Sequence, residues 1–283
     1  MKKLIHIFFV FLFLSLFFSC AFLNEVLKSS DDETLVKFGE AGDAILRASE
    51  EITPSQEYYL GRAVAANILS NYKLKNDAHS EKYLNSICQV LVLYSDKPEI
   101  YGGYHLAILD TSEINAFATS GGHILVSKGL LACAESEDAI AAIIAHEIAH
   151  IHLQHSVKAI KSSRSLNAVL ATSKAVASSM DLDELTDSFG GAVDEVLNTL
   201  VNSGYSQTHE FEADKLALTL MHNAGYNPYA MVEMLSLLKT QTKSGSGFGK
   251  THPDPQKRLN KVNSVLRKKF YDVDSSKRFE IEL

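Results

Sequence analysis

Apolar residues recur at helical spacing along most of this chain. Six segments are predicted to be helices on this pattern: 56–72, 79–94, the apolar run 139–145 with the residues that follow it, 211–224, 229–240 and 255–270. Between 104 and 127 the apolar runs are short, and turn residues such as Gly121 and Gly122 separate them. We predict a small antiparallel sheet there. The expected fold class is α+β and mainly helical.

The first twenty residues have the pattern of an export signal. Lys2 and Lys3 precede an apolar run over 4–18, and Ser19 and Cys20 follow it. We predict that 1–20 is a signal peptide of the lipoprotein type and that Cys20 carries a lipid. An uncleaved membrane anchor and simple cleavage are the alternatives. The expected location is the periplasm or cell envelope.

After this signal, the polar segment 21–53 is predicted to be a tether ending in a short helix, and the main domain is predicted over 54–283. The 283 residues carry a net charge of −7. Because no cluster of Lys and Arg with interleaved aromatic residues is present, nucleic acid is not an expected partner. Cys88 and Cys133 could pair in an exported protein, or they could be two buried thiols.

The strongest chemical signal is His146-Glu147-Ile148-Ala149-His150, an H-E-x-x-H pattern. On a helix, residues four apart lie about 40° from each other around the axis, so both imidazoles can bind one ion. Glu147 lies on the same side and can reach a water molecule at that ion as a general base. The preceding run is almost wholly apolar, which predicts a helix buried on most sides. Ser136 is the predicted N-cap of this helix.

A third metal ligand has to come from elsewhere in the chain. Leu153 and Ser156 stand where a metzincin has Gly and His, so that class is excluded. Downstream, Glu210 and Asp214 share one helical face. Glu210 can then be the third ligand while Asp214 orients a ligand His; Glu212 is the rival ligand. An acidic first turn of an ordinary amphipathic helix is the alternative for all three carboxylates.

Together these residues resemble the zinc peptidase family that contains the HtpX, CAAX prenyl protease and mitochondrial Oma proteins. Its exported BepA-like branch, which lacks multiple membrane spans, is the most similar in layout. The resemblance spans about 54–270 and rests on four places: Asn115-Ala116-Phe117-Ala118 with the glycines and Ser127-Lys128-Gly129-Leu130-Leu131 after it, the H-E-x-x-H motif, Glu210-Phe211-Glu212-Ala213-Asp214, and His252-Pro253 with Arg258.

The resemblance implies a gluzincin-like metallopeptidase domain over 54–283 that binds one Zn²⁺ per chain. It makes Glu210 the third ligand beside His146 and His150. It also places His252 near the metal, where this residue would either stabilise the oxyanion or occupy the fourth ligand position. The strand at 123–126 would hold an extended peptide by edge pairing.

The predicted function is a zinc-dependent endopeptidase that hydrolyses misfolded or stalled cell-envelope proteins. The alternative is a zinc-binding periplasmic chaperone or assembly factor with little proteolysis. Partners are protein or peptide substrates, and the membrane through the N-terminal lipid or anchor. The oxyanion donor is left open between His252 and a tyrosine such as Tyr205. His152 and His155 are predicted to be solvated, and 162–205 is either a lid over the site or a surface insertion.

Overall fold

The computed structural model describes residues 52–160, 191, 193–241, 251–252 and 254–279. Residues 52–283 form one compact unit. The predicted signal peptide, the lipid on Cys20 and the tether lie outside the described residues. So does most of the segment for which a lid or a surface insertion was predicted.

Helices dominate the described residues, and the predicted helices are confirmed. The α-helices are α1 (Pro54–Asn71), α2 (Ala78–Leu93), α3 (Lys128–Leu131), α4 (Glu137–His152), α5 (His155–Ile160), α6 (Gln207–Asn223), α7 (Ala230–Gln241) and α8 (Pro255–Lys269). A π-helical turn spans Asn198–Ser203. Helix α6 begins four residues before the predicted start, because Ser206 caps it by accepting a hydrogen bond from the His209 backbone N–H.

Helix α4 lies at the centre of the elements described for residues 52–279. Its N-cap is Ser136, as predicted, and the Ser136 hydroxyl accepts a hydrogen bond of 3.1 Å from the Ala139 backbone N–H. Every residue from Asp138 to His152 is buried, because α2, α6, α7 and the sheet pack around the helix. The prediction from the apolar run that this helix is buried on most sides is therefore confirmed.

The small sheet contains β1 (His105–Leu109), β2 (Ala116–Thr119) and β3 (His123–Ser127), in the order β1-β3-β2. A small sheet was predicted here, but it is mixed and not wholly antiparallel. Strands β2 and β3 form the antiparallel hairpin, whereas β1 runs parallel to β3. The hairpin turn makes β2 and β3 antiparallel, and β1 pairs with the other edge of β3.

This order corrects the prediction that the strand at 123–126 pairs with a peptide through a free edge. Strand β3 is central, and hydrogen bonds to β1 and β2 occupy both of its edges. The outer edge of β1 is partly occupied too, because the Lys75 N–H donates to the Ile108 carbonyl at 2.8 Å. Among the described residues, no further strand pairs with the outer edge of β2, which lies against α4.

The turn between β2 and β3 requires glycine, as the sequence indicated. Gly121 and Gly122 have φ angles of +79° and +94°, which L-residues rarely adopt. A Cβ on Gly122 would also lie 2.1 Å from the Gly103 carbonyl oxygen. The turn and the neighbouring loop therefore approach each other too closely for a side chain.

The N-terminus of α4 is held by the C-terminal part of the chain. The fully buried Asp138 carboxylate accepts hydrogen bonds from the backbone N–H groups of Asn227 at 2.6 Å and Phe279 at 2.5 Å. Asp138→Ala would leave both donors without this acceptor, and hydrogen bonds to charged groups contribute about 1.5–3 kcal/mol each. We expect a loss of about 3 kcal/mol in the free energy of unfolding, measured by urea denaturation.

Asp272→Ala is the matched control for this prediction. Asp272 is exposed and lies in the same C-terminal segment as Phe279. Its replacement should change the free energy of unfolding by less than about 0.5 kcal/mol. Equal losses in the two variants would show that Asp138 does not hold the start of α4.

Both cysteines in the described part of the chain are free thiols: Cys88 is buried and Cys133 is partly buried. Burial raises the pKa of Cys88 to about 12, so its thiol is un-ionised at neutral pH. Within the described ranges, no helix combines the length and the apolar character needed to cross a bilayer.

Candidate metal centre

Four side chains that can bind a metal ion meet in the interior. His146 and His150 come from α4, Glu210 from the first turn of α6, and His252 from the segment 251–252 that precedes α8. One ligand atom from each lies within 4.8 Å of the others, and all four residues are buried. The structure therefore brings together the four residues that the sequence and the resemblance singled out for the metal site.

The ligand atoms converge on one point. The Nε2 atoms of His146 and His150 are 3.1 Å apart, and they lie 3.5 Å and 3.4 Å from the carboxylate oxygens of Glu210. The Nδ1 atom of His252 lies 3.1 Å from Glu210 Oε1 and 3.3 Å from His146 Nε2. Three imidazole nitrogens and a carboxylate are donors that zinc prefers, so these residues fit the metal that the sequence implied.

Glu147 lies beside this cluster without joining it. Its Oε1 atom is 3.7 Å from His252 Nε2, and neither carboxylate oxygen has a hydrogen-bond partner among the described residues. Burial raises the pKa of Glu147, although the nearby His252 and His146 oppose that shift. A buried carboxylate with a raised pKa and two open acceptor atoms is suited to take up a proton.

Two more buried residues, Asp214 and Arg258, contact the proposed ligands but do not belong to the ligand cluster. Asp214 Oδ1 lies 3.1 Å from His146 Nδ1, on the side of the ring that faces away from the cluster. Arg258 is only 1% exposed and donates to both oxygens of Asp214, through Nη2 at 2.7 Å and Nε at 2.8 Å. Its Nη1 atom lies 2.9 Å from Glu210 Oε2. The guanidinium thus links the backing carboxylate of one ligand to another ligand.

The cations keep both carboxylates ionised in a buried place. Burial alone would raise the pKa of Asp214, but the Arg258 guanidinium and its hydrogen bonds hold it below the usual range. Burial would also raise the pKa of Glu210, but its electrostatic interactions with the nearby His252 and Arg258 hold it well below that range. Glu210 is therefore in the anionic form that binds a metal ion.

The two ligand imidazoles differ in protonation. Burial lowers the pKa of His150 well below its usual value, so this ring is neutral and ready to bind a metal. Burial and Arg258 would lower the pKa of His146 as well, but hydrogen bonds from its ring to Asp214 and Glu210 raise it to about 9. Metal binding at His146 Nε2 would have to displace that proton.

Two histidines lie in places that the sequence did not predict, and the rival third ligand lies outside the cluster. His152 and His155 were expected to be solvated, but both are buried. The chain does not leave the core after α4, because α5 begins at once and packs against α4. Glu212, the rival third ligand, is 47% exposed and lies 3.3 Å from His155 Nε2. It is outside the ligand cluster, since α6 turns Glu210 toward α4 and Glu212 away from it.

Tyr205, one of the two candidate oxyanion donors, lies against His150. Its ring stacks on His150, with 4.1 Å between centroids and 18° between planes. The Tyr205 N–H donates to the Thr251 carbonyl at 3.1 Å, and the Thr251 hydroxyl donates to Asn115 Oδ1 at 3.2 Å. These contacts fix the segment that carries His252.

Comparison with known proteins agrees with this geometry. Residues 78–266 match the profile of peptidase family M48, and this range includes α4, the first turn of α6 and His252. The chain belongs to peptidase family M48. The predicted resemblance is therefore confirmed.

Several M48 relatives are similar to this chain over much of its length. The beta-barrel assembly-enhancing protease of Escherichia coli O157:H7 is 26% identical over 223 residues, which are 75% of this chain and 44% of the relative. The mitochondrial metalloendopeptidase OMA1 of Schizosaccharomyces pombe is 28% identical over 187 residues, 65% of this chain and 52% of the relative. The metalloprotease LoiP of Escherichia coli strain K12 is 29% identical over 155 residues, 54% and 59% respectively. The chain thus spans about half the length of these curated relatives.

Proposed function

We propose that this M48 chain is a zinc-dependent endopeptidase that hydrolyses peptide bonds of misfolded or stalled cell-envelope proteins. The observation that carries the proposal is the buried cluster of His146, His150, Glu210 and His252 with the open carboxylate of Glu147 beside it. His146, His150 and Glu210 would hold the zinc ion. When bound, zinc supplies Lewis-acid chemistry, since it lowers the pKa of a water molecule and polarises a carbonyl group.

Glu147 is the residue that moves protons. Its carboxylate accepts a proton from the attacking water as the water oxygen bonds to the peptide carbonyl carbon. The same proton then passes from Glu147 to the amide nitrogen, so that the C–N bond breaks and a neutral amine leaves. The raised pKa of Glu147 supports both steps, because the group has to accept and release a proton near neutral pH.

The other side chains position these groups. Asp214 accepts from His146 Nδ1–H and so turns Nε2 toward the metal site. Arg258 fixes Asp214 and Glu210 together. Stabilisation of the oxyanion is assigned to His252 or Tyr205, both of which lie next to His150.

A substrate peptide is proposed to pair with the outer edge of β2 and not with β3. Strand β2 lies against α4, and main-chain pairing at an edge recognises a peptide with little regard to its side chains. Loose sequence preference would suit an enzyme that acts on misfolded proteins. The proposed envelope location rests on the signal pattern over 1–20 and on the likeness to a relative named for beta-barrel assembly.

A second function is favoured by one observation. His252 is buried and its Nδ1 atom lies at the cluster, where it could serve as a fourth ligand. A site with four protein ligands is typical of structural zinc, whereas catalytic sites keep a position open. The protein would then act as a zinc-binding chaperone or assembly factor that cuts rarely.

Metal removal tests the proposal. We expect the purified protein to contain one zinc ion per chain and to cleave casein, and cleavage should fall to background after treatment with 1,10-phenanthroline. One equivalent of Zn²⁺ should restore it. Circular dichroism before and after treatment controls for unfolding of the metal-free protein. Zinc binding without any cleavage would favour the chaperone, and absence of zinc would contradict both functions.

A further inference from the structure

The outward nitrogen of the second zinc-binding histidine has an unusual partner. His150 Nε2 faces the ligand cluster, and its Nδ1 atom lies 2.9 Å from Nδ1 of His155. His155 is fully buried, and its ring meets that of His150 at 74°. At the corresponding place behind His146 stands the carboxylate of Asp214. An imidazole therefore has the place behind His150 that a carboxylate has behind His146.

A strained turn brings His155 to this position. Helix α4 ends at His152, and Gln154 adopts a φ of +53°, which costs a residue other than glycine about 1 kcal/mol. The Gln154 side chain donates to Glu57 Oε2 at 2.9 Å, which helps to hold this conformation. The chain then turns back at once into α5, whose first residue is His155. Strain of this kind persists where the surrounding structure fixes it, often at a functional site.

A chain of contacts continues from His155 to the surface. Its Nε2 atom lies 3.3 Å from Glu212 Oε2, and its ring stacks on His209 with 4.4 Å between centroids. Glu212 is 47% exposed, so this series of contacts begins at the buried His150 ring and ends in solvent. Both His209 and Glu212 come from the first turns of α6, the helix that also supplies Glu210.

We propose that His155 and Glu212 are positioning residues for His150. Two Nδ1 atoms at 2.9 Å need one donor and one acceptor. If His150 binds zinc through Nε2, its Nδ1 atom carries the hydrogen and donates it to His155 Nδ1. His155 then carries its own hydrogen on Nε2 and donates it to the Glu212 carboxylate. This is the only assignment of neutral rings in which all three contacts are satisfied.

The inference rests on the zinc site proposed above. This series of contacts has a direct consequence for metal binding. It fixes the tautomer of His150 that presents a lone pair to the ion, and it holds the ring plane before the ion arrives. Loss of such a partner typically lowers metal affinity about 10- to 100-fold. Glu212 was the rival ligand in the sequence analysis. In this arrangement it holds His155, which in turn holds His150.

Replacing His155 with asparagine or with leucine distinguishes the proposed positioning role from a role in packing. The two side chains have nearly the same shape, and the amide oxygen of asparagine can take the place of the imidazole Nδ1 atom as acceptor. We expect His155→Leu to lower zinc affinity about 10- to 100-fold and His155→Asn to retain most of it. Affinity is measured by competition with a chromophoric chelator, and circular dichroism of the metal-free proteins verifies the fold.

Glu212→Ala and Glu212→Gln extend the test to an exposed position, where folding is not at risk. Glu212→Ala should weaken zinc binding by a smaller factor than His155→Leu, and Glu212→Gln should restore it because its amide oxygen still accepts. His222→Leu, at an exposed histidine near the end of α6, is the control and should leave the affinity unchanged.

Two results would overturn the inference. Unchanged zinc affinity in His155→Leu would show that the contact does not position His150. Equal weakening in His155→Leu and His155→Asn would show that only the shape and packing of the ring matter. A wild-type protein that binds no zinc would instead overturn the proposed function, and the inference with it, so the two failures are distinguishable.

Discussion

A Glu147→Gln variant is expected to keep its zinc and to lose about 10²- to 10⁴-fold of its rate of peptide hydrolysis, because general acid–base catalysis contributes that much. Glutamine has nearly the same shape as glutamate but cannot take a proton from water. Glu147 is not within the ligand cluster, so metal content should be unchanged. The measurement is kcat/KM on a fluorogenic peptide, together with zinc content for each chain.

The size of this loss in hydrolysis rate depends on whether another group can replace Glu147 as the base. Among the described residues no hydrogen bond fixes its carboxylate oxygens, and Asp214, the carboxylate that contacts His146 from outside the proposed ligand set, already accepts from Arg258 through both of its oxygens. No described group is therefore placed to replace it as the base. Glu135→Gln, at an exposed glutamate just before α4, is the control and should retain full activity. Full activity in Glu147→Gln would remove this residue as the base.

The proposed metal-binding pair of histidines could be predicted from the sequence because its geometry is local. His146 and His150 lie four residues apart on one helix, and the helical period alone turns them to the same side. The apolar run before them indicated burial, and α4 is indeed buried along nearly its whole length. Glu210 and Asp214 needed a second helix, and the spacing of four was again enough to suggest that they act together.

The sheet shows where local patterns stop being sufficient. The glycine turn predicts the β2–β3 hairpin, because a tight turn can only join antiparallel neighbours. Which side of β3 receives β1 depends on tertiary packing, and no residue in β1 indicates it. The prediction of a wholly antiparallel sheet, and of β3 as its edge, failed for this reason.

His155 and Arg258, which lie behind the proposed ligands, were harder to predict for a related reason. His155 follows His150 by five residues, and at continued helical spacing its side chain would have pointed away from that of His150. The positive φ of Gln154 breaks that spacing, and nothing in the residue itself signals it. Arg258 entered only through the resemblance, because its carboxylate partners lie more than forty residues away in sequence.

Arg258→Met is expected to destabilise the metal-free protein by about 3–5 kcal/mol, the usual cost of removing one partner from a buried ion pair. Methionine fills much of the same space but leaves the carboxylates of Asp214 and Glu210 buried without their shared cation. Zinc should offset part of this loss, because a cation beside Glu210 compensates one of the two charges. Urea denaturation with chelator and with excess zinc measures both effects.

Lys257→Met is the matched control, since it removes a neighbouring cation of the same helix. Lys257 is 63% exposed and pairs with Asp254 at 2.5 Å. An exposed pair of this kind contributes at most about 1 kcal/mol, and zinc should not alter the effect of losing it. If the two variants lost equal stability, or if zinc made no difference to Arg258→Met, Arg258 could not be the cation that holds Glu210 and Asp214. A large and zinc-dependent loss at 258 alone would show that the fold keeps its metal ligands charged with a built-in cation before any metal ion binds.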